Sequence, residues 1–272
     1  MSPSLTNSKN QSTNVEKPLR NFSVGKAKVA IFSSRASLGS AAAAQGVELI
    51  RAAIIRRGRA RVIIATGNSQ QDMIGVLVQS PRIDWKRTVV FHMDEYLGMS
   101  ADHPASFRHW LRKHLLDRAS PAEVHLLQGD AKDIDAEIRR YEGLLLEDTI
   151  DVCFLGIGEN GHIAFNDPHV ADFNDPRIAK TVTLDEICRK QQVGEGHFSA
   201  IDDVPRQAIT LTCTGLMRSE NIICCVPEAR KAQAVRNSLQ GEIATNCPGS
   251  LLRSHPNATI YLDQESAAQL SI

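Results

Sequence analysis

The sequence predicts an α/β fold in which a doubly wound, mostly parallel sheet carries helices on both faces. Short, continuous apolar runs recur along the chain, and such runs are typical of strands that are buried on both faces. Longer segments with helical periodicity lie between most of these runs. This alternation indicates parallel strands joined by crossover helices.

The strand predictions rest on runs that are rich in β-branched and other apolar residues. The predicted strands cover residues 28–33, 61–66, 88–93, 123–128, 151–155, 179–184, 208–213, 221–226 and 258–263.

The helix predictions rest on apolar periodicity and on residues that begin or end helices. An Ala-rich segment, 37–58, stops at Gly58, and a second helix follows the turn after residue 69 and runs through Val78. The other helices are predicted over residues 104–117, 133–147 and 228–241.

Composition indicates a globular chain with a polar start. Of the 272 residues, 42% are hydrophobic and 23% are charged. Residues 1–24 are rich in Ser, Asn, Thr and Lys, so we expect a flexible polar tail there and a single domain over 25–272. The 31 basic and 31 acidic side chains balance, which makes nucleic acid a poor candidate partner.

We expect a cytoplasmic protein without membrane, metal or cofactor. No apolar run approaches the length that crosses a bilayer, and the first residues lack the apolar core of a secretory signal. The six cysteines form no CxxC pair and no Cys/His spacing that suits zinc. Reduced, buried thiols are the expectation for them.

Three unusual loops follow predicted strands: TGNSQ (66–70), MDEY (93–96) and GIGENGHIAFND (156–167). In open parallel sheets, ligands bind beyond the carboxyl ends of the strands. We therefore expect these three loops to lie on one edge of the sheet and to form a site together.

The first loop suggests an anion site. Gly67 lets the backbone approach a ligand closely, and the helix that follows Thr66, Asn68 and Ser69 presents free N–H groups to an anion. Ser69 could equally serve only as the helix N-cap. Lys231, in the first turns of a later helix, could complete the site as a point charge or lie in solvent.

The other two loops suggest acid–base chemistry. Asp94 and Glu95 directly follow an apolar strand, and one of two neighbouring carboxylates in a cleft can serve as a general base. His162 lies in a glycine-rich turn with acidic residues on both sides. A carboxylate on one ring nitrogen would set the tautomer and leave the other nitrogen free for proton transfer.

Together, these segments resemble the glucosamine-6-phosphate deaminase/isomerase family, whose relatives include 6-phosphogluconolactonases. The resemblance covers residues 28–263 and is most specific in FHMDEYLGMSADHPASF and GIGENGHIAFNDP. It extends to LLQGDAKDIDAEIRRYE, RKAQAV and SHPNATIYLD.

The resemblance implies a modified Rossmann fold and a reaction that needs no metal or cofactor. Members of this family open the ring of an amino-sugar phosphate, move a proton from C2 to C1 and release ammonia. By resemblance, Asp94 moves the carbon-bound proton and His162 protonates the ring oxygen. Thr66, Gly67, Ser69 and Lys231 match phosphate-binding positions. The sequence does not determine the oligomeric state, and a homo-oligomer is one possibility.

Several positions depart from the family pattern. Asn160 stands where an aspartate is usual, and Asp167 stands where a glutamate is usual. The phosphate loop TGNSQ replaces TGG[ST]P. Gln192 aligns with an arginine that helps to hold the phosphate, and Arg189 is the nearest substitute.

These departures lead to a hypothesis about the histidine. An amide at Asn160 can hold the imidazole by a hydrogen bond, but it cannot balance a positive charge on the ring. We expect Asp167 to be the acidic partner of His162 and Glu159 to face away. On this hypothesis, Asn160→Asp would improve ring opening.

Two alternatives to a deaminase stay open. A lactonase-type hydrolase is also built on a GxGxxGH loop, although MDEY and the FND segment are typical of deaminases. A non-catalytic sugar-phosphate-binding protein is the other alternative. Related sensors carry a DNA-binding helix-turn-helix, which the short polar tail cannot hold.

Overall fold

The structure is a computed structural model that describes residues 16–271. Within this range, eleven strands form two sheets. The strands are β1 (Arg20–Val24), β2 (Ala27–Phe32), β3 (Ala60–Ile64), β4 (Thr88–His92), β5 (Asp94–Tyr96), β6 (Glu123–His125), β7 (Val152–Leu155), β8 (Ala179–Thr183), β9 (Gln207–Leu211), β10 (Asn221–Val226) and β11 (Ala258–Asp263).

The larger sheet has eight strands in the order β1-β2-β11-β10-β7-β3-β4-β6. Every neighbouring pair in it is parallel except β1 and β2, which pair antiparallel. Helices cover both faces, so the predicted doubly wound α/β class is confirmed.

The helices are α1 (Arg35–Arg57), α2 (Gln71–Gln79), α3 (Phe107–Leu111), α4 (Asp117–Ala119), α5 (Ile134–Leu146), α6 (Glu186–Gly194), α7 (Cys213–Met217) and α8 (Ala232–Gln240). A π-helical segment, Arg112–Leu116, joins α3 to α4. Gly58 ends α1 in the left-handed conformation that was expected of a terminal glycine, with φ of 80°.

Alternation along the central strands divides the core between the two faces of the large sheet. Val62 and Ile64 of β3 pack on the face that α1 covers, whereas Ile63 between them packs on the opposite face. Successive strand side chains point to opposite faces, so a strand covered on both sides needs an unbroken apolar run. This explains why the continuous runs were reliable strand signals.

A separate three-stranded antiparallel sheet, in the order β5-β9-β8, was not predicted. The runs 179–184 and 208–213 do form strands, as expected, but they lie outside the parallel sheet. They pair with each other, and β9 also pairs with β5, which includes Asp94. The short segment DEY carries too few residues to signal a strand by periodicity.

The predicted tail is too long. Residues 20–24 form β1, which pairs with β2 from Arg20 opposite Ile31 to Val24 opposite Ala27. Backbone hydrogen bonds to a strand already in the sheet order this segment despite its polar composition. Residues 1–15 of the predicted tail lie outside the described residues.

The expectation that no apolar run approaches membrane-spanning length does not hold for the first helix. By length and composition, α1 is long and apolar enough to cross a bilayer, and 56% of its most apolar stretch is buried inside the fold. It packs on α2 and on the large sheet. Burial in the core accounts for its apolar character.

Four neighbouring parallel strands, β10, β7, β3 and β4, place their carboxyl ends side by side. The segments that follow them carry Lys231, His162, Gly67 and Asp94 respectively. The predicted gathering of the loops on one edge is therefore what the strand order produces.

Candidate active site

One pocket opens at this edge of the large sheet. It is lined by Ala65, Thr66, Gly67, Asn68, Ser69, Gln70, Met93, Asp94, Phe107, Gly156, Ile157, Gly158, His162, Ala164, Phe165, Gln191, Gln192, Glu195 and Lys231. Carboxylate, imidazole, ammonium and amide groups thus surround one cleft.

Strand alternation gives Asp94 and Glu95 different surroundings. Glu95 is fully buried and accepts hydrogen bonds from Ser106 Oγ (2.7 Å) and from Arg108 N (3.0 Å) and Nε (3.2 Å). These donors fix Glu95 at the start of α3. Asp94 lines the pocket instead. Burial, and secondly the charge of Glu95, raise the pKa of Asp94 well above its ordinary value.

Glycines shape the loop that carries His162. Gly161 has φ of 87°, a conformation that favours glycine, and its N–H donates to Gly158 O over 3.0 Å. The imidazole packs directly on Gly158: a Cβ at position 158 would lie 2.1 Å from His162 Cε1. The tight turn therefore leaves just enough room for the ring.

Nδ1 of His162 faces two oxygens. It lies 2.7 Å from Asn160 Oδ1 and 3.1 Å from Asp167 Oδ1. Two acceptors around Nδ1 require the proton on that nitrogen in the neutral ring. Nε2 has no hydrogen-bond partner among residues 16–271 and is left for a ligand in the pocket.

Asp167 is the acidic partner of His162, as expected. Burial raises the pKa of Asp167, but hydrogen bonds and the charge of His162 outweigh burial and hold that pKa below its ordinary value. Glu159 faces away and pairs with Arg230 Nη1 at 2.8 Å, which also agrees with the hypothesis. The family's usual glutamate at position 167 is thus shortened without loss of contact.

Asn160 does more than replace a carboxylate. Its Nδ2 donates to Asp167 Oδ1 (2.9 Å) and to Asp185 Oδ2 (2.8 Å), while its Oδ1 faces His162. An aspartate at this position would bring three carboxylates together. We therefore revise the expectation for Asn160→Asp and now predict slower ring opening, because the amide N–H₂ group donates to both acids.

The proposed anion-binding residues line one end of the pocket. Gly67 has φ of 98°, and the 3₁₀ turn Asn68–Gln70 leads from it into α2. Ser69 caps neither this turn nor α2, so its alternative role as an N-cap is not supported. Lys231 ends a second 3₁₀ turn directly before α8 and is buried.

Gln192 aligns with the arginine of the family pattern and Arg189 was its nearest substitute, but the structure places these two residues differently. Gln192 is buried, lines the pocket and accepts from Tyr96 Oη over 2.9 Å. Arg189 points away, and its guanidinium donates to the carbonyls of Ile201 and Val204. The suggestion that Arg189 substitutes in the anion site is wrong, because these carbonyls hold its guanidinium and Arg189 does not line the pocket.

Sequence reasoning missed Glu195 and Gln191, which line the pocket, and Asp185, which caps α6 by accepting from Cys188 N. All three lie in or beside the segment that contains Gln192. A helix begun by Asp185 was the available signal, because helical spacing places Gln191, Gln192 and Glu195 near one another.

Two groups of side chains near the site could hold a metal ion, and both include Asp167; the second consists of Asp167, His169 and Asp185. The ligand atoms of His162, Asp167 and Cys188 lie within 4.8 Å of one another. Burial, and secondly the charge of Asp167, raise the pKa of the Cys188 thiol well above its ordinary value. Within residues 16–271, both oxygens of Asp167 already accept hydrogen bonds, Oδ1 from Asn160 Nδ2 and Oδ2 from Asp185 N. A protonated thiol is a poor metal ligand, because the thiolate is the form that binds metals.

Comparison with known proteins decides the family. The sequence profile described as glucosamine-6-phosphate isomerases/6-phosphogluconolactonase matches residues 33–261. The chain belongs to this family.

Named relatives in the family are deaminases. Glucosamine-6-phosphate deaminase of Listeria innocua is 35% identical, with 76% of this chain and 86% of that protein aligned. The Oenococcus oeni deaminase is 31% identical over 90% of this chain and 99% of its own. By this likeness the chain is a deaminase-like enzyme.

Solved structures agree in fold. A monomeric glucosamine-6-phosphate deaminase superimposes with a TM-score of 0.82 at 30% identity, covering 89% of this chain and 99% of that one. A 6-phosphogluconolactonase from Shewanella baltica reaches 0.71 at 20% identity, covering 89% and 97% respectively, which shows the shared fold alone. The description as a hydrolase fits only the lactonase relatives.

Proposed function

We propose that the chain catalyses ring opening, aldose–ketose isomerisation and ammonia release on an amino sugar of the glucosamine 6-phosphate type. The observation that carries the proposal is that Asp94 and His162 line the same pocket, one a buried carboxylate and the other an imidazole with a free Nε2. The deaminase relatives support the same reaction.

The first step uses His162. Protonated Nε2 donates its proton to the ring oxygen while the C1–O5 bond breaks and the C1 hydroxyl releases its proton to water, which yields the open aldehyde. The charge on the imidazolium is balanced by Asp167, whose Oδ1 lies 3.1 Å from Nδ1. Asn160 holds both partners in place.

The second step uses Asp94. Its carboxylate removes the proton from C2 while the C1 carbonyl oxygen takes up a proton from water, forming an enolamine. Asp94 then returns its proton to C1 while the nitrogen releases a proton to water, forming an imine at C2. Water adds to the imine and ammonia leaves, which gives the ketose. A base that must accept a proton from carbon benefits from a raised pKa, and burial raises the pKa of Asp94.

Thr66, Gly67, Asn68, Ser69, Lys231 and Gln192 hold the far end of the sugar in this proposal. Lys231 supports it most directly, because its ammonium makes no hydrogen bond within residues 16–271 although the residue is only 2% exposed. A buried cation without a partner favours a ligand that accepts from it. The proposal includes a cytoplasmic location, consistent with six buried, unbridged thiols.

A lactone hydrolase is the second candidate, favoured by the fold shared with the Shewanella baltica lactonase. In that reaction a histidine activates water, and no base for a carbon-bound proton is required. The buried Asp94 would then have no task, which is why we place this candidate second. A sugar-binding protein without catalysis would show affinity but no turnover.

The test is a panel of substrates incubated with the purified chain. Glucosamine, glucosamine 6-phosphate, their galactosamine counterparts and 6-phosphogluconolactone are followed for ammonia, ketose and acid formation. Ammonia and ketose in equal amounts support the proposal. Acid formation from the lactone without ammonia from any amino sugar would replace it with the hydrolase.

A further inference from the structure

The far end of the pocket contains a carboxylate as well as a cation. Glu195 and Lys231 both line it, next to Gly67. Glu195 Oε2 lies 3.7 Å from the position a Cβ would take at Gly67. An acidic side chain thus lies at the end of the cleft where an anion was expected.

Glu195 is held in place and charged. Its Oε1 accepts from Arg230 Nη1 (2.9 Å) and Gln191 Nε2 (2.8 Å), and its backbone oxygen accepts from Asn68. Burial raises the pKa of Glu195, but His197, Lys231 and Arg230 outweigh burial and lower that pKa to about 2. The carboxylate therefore stays ionised at any pH at which the enzyme would work.

The second oxygen of Glu195 is available to a ligand. Oε2 accepts no hydrogen bond from residues 16–271, because His197 Nε2, 3.4 Å away, is not aligned as a donor. Lys231 Nζ likewise donates to nothing in that range. An unused acceptor and an unused donor therefore flank the same end of the pocket.

The other cations nearby are already neutralised. Arg230 pairs with Glu228, Glu159 and Glu195. Arg35 pairs with Asp72 and Glu228. Gln192 stands where the family pattern has an arginine. Among the described residues that line this end, Lys231 alone offers a positive charge, and Glu195 opposes it.

We propose that Glu195 makes this end of the pocket select a neutral hydroxyl over a phosphate dianion, so that the preferred substrate is an unphosphorylated amino sugar. A hydroxyl donates to Glu195 Oε2 and accepts from Lys231. A phosphate dianion can only accept, so it would meet Lys231 while being repelled by a fixed carboxylate. The inference rests on the proposed function, because it keeps the same reaction and site and changes the preferred substrate from the phosphorylated amino sugar to the free one.

The test measures binding rather than turnover, so it separates this inference from the proposed function. Calorimetry compares glucosamine with glucosamine 6-phosphate on the parent chain and on Glu195→Gln. The parent should bind glucosamine more tightly. Glu195→Gln should strengthen binding of the phosphorylated sugar by roughly 10- to 100-fold, the scale of one charged contact, and leave glucosamine affinity within a few-fold.

Glu228→Gln is the matched control. Glu228 also pairs with Arg230 but does not line the pocket, so its loss changes the local charge without removing an acceptor from the site. The ratio of the two affinities should then stay near the parental value. The proposal is overturned if the parent binds the phosphorylated sugar more tightly, or if Glu195→Gln and Glu228→Gln change the ratio equally. Thermal melting verifies that both variants fold.

Discussion

Asp167 Oδ1 lies 3.1 Å from His162 Nδ1 and 2.9 Å from Asn160 Nδ2. One buried carboxylate therefore serves the imidazole directly and through the amide that also contacts it. The asparagine, which departs from the family pattern, has become the link between two acids and a histidine. This arrangement predicts that ring opening depends on Asp167.

Asp167→Asn should slow ring opening, because the imidazolium would lose the charge that balances it. We expect turnover to fall by part of the roughly 10²–10⁴-fold that a general acid contributes. Glu159→Gln should stay close to the parent, since Glu159 contacts Arg230 instead. Steady-state ammonia release measures both. A slow Glu159→Gln beside an unaffected Asp167→Asn would show that the histidine depends on the other acid.

Asn160→Asp should lower stability as well as turnover. The new carboxylate would face Asp167 and Asp185 in place of an amide that donates to both, at a cost of about 1–3 kcal/mol. Urea unfolding at neutral pH measures the loss. The loss should shrink at acidic pH, where protonation relieves the repulsion between the carboxylates. A variant as stable as the parent at pH 7 would contradict the hydrogen-bond pattern around Asn160.

Asp94→Asn should lower turnover by roughly 10²–10⁴-fold, the contribution of a positioned base, while ligand affinity stays near that of the parent. It should also stabilise the fold at pH 7. Burial raises the pKa of Asp94, so the parent loses stability as pH rises above the ordinary pKa of aspartate towards the raised one. The gain should vanish as pH falls below the ordinary pKa of aspartate, where the group is protonated both folded and unfolded. Near-normal turnover in a folded variant would remove Asp94 from the proposed role.

Lys231→Met should weaken ligand binding and stabilise the free protein. Burial, the largest influence, lowers the pKa of Lys231 to about 8, below its ordinary 10.5. Below pH 8 the parent therefore carries the full cost of a buried ammonium, on the order of 3 kcal/mol. As pH rises from 8 to 10.5, the folded lysine is neutral and the unfolded one still charged, so the advantage of the variant should disappear. Denaturant unfolding across this range tests the sign.

Gly158→Ala should displace the His162 ring, because a Cβ would lie 2.1 Å from Cε1 and 2.2 Å from Nε2. A shift of about 1 Å in a catalytic group can cost roughly 10²-fold in rate. Gly143→Ala is the control: it lies exposed in α5 with open space around a Cβ, so it should preserve turnover and stabilise the helix slightly. Equal turnover in the two variants would show that the ring does not depend on the glycine.

Much of the fold and the position of the site followed from local patterns. Unbroken apolar runs identified the parallel strands because strands covered on both faces need apolar side chains at every position. Ligands bind beyond the carboxyl ends of parallel strands, and this rule correctly predicted that the loops of Thr66, Asp94 and His162 lie together. The segment that became β1 and the short β5 were missed, because a partner strand orders them rather than their own composition.

The sequence by itself determined which residues would reach one edge of the sheet, including Asp94, His162, Asp167 and Lys231, because the carboxyl ends of parallel strands share one edge whatever the order of the strands. Only the tertiary structure decided their partners. Arg189 bonds to backbone carbonyls, Asn160 joins two acids, and Glu195 opposes Lys231 at the end of the pocket. Hydrogen bonds act over about 3 Å between side chains that are far apart in sequence, so a small rotation of α6 would have exchanged one set of partners for another.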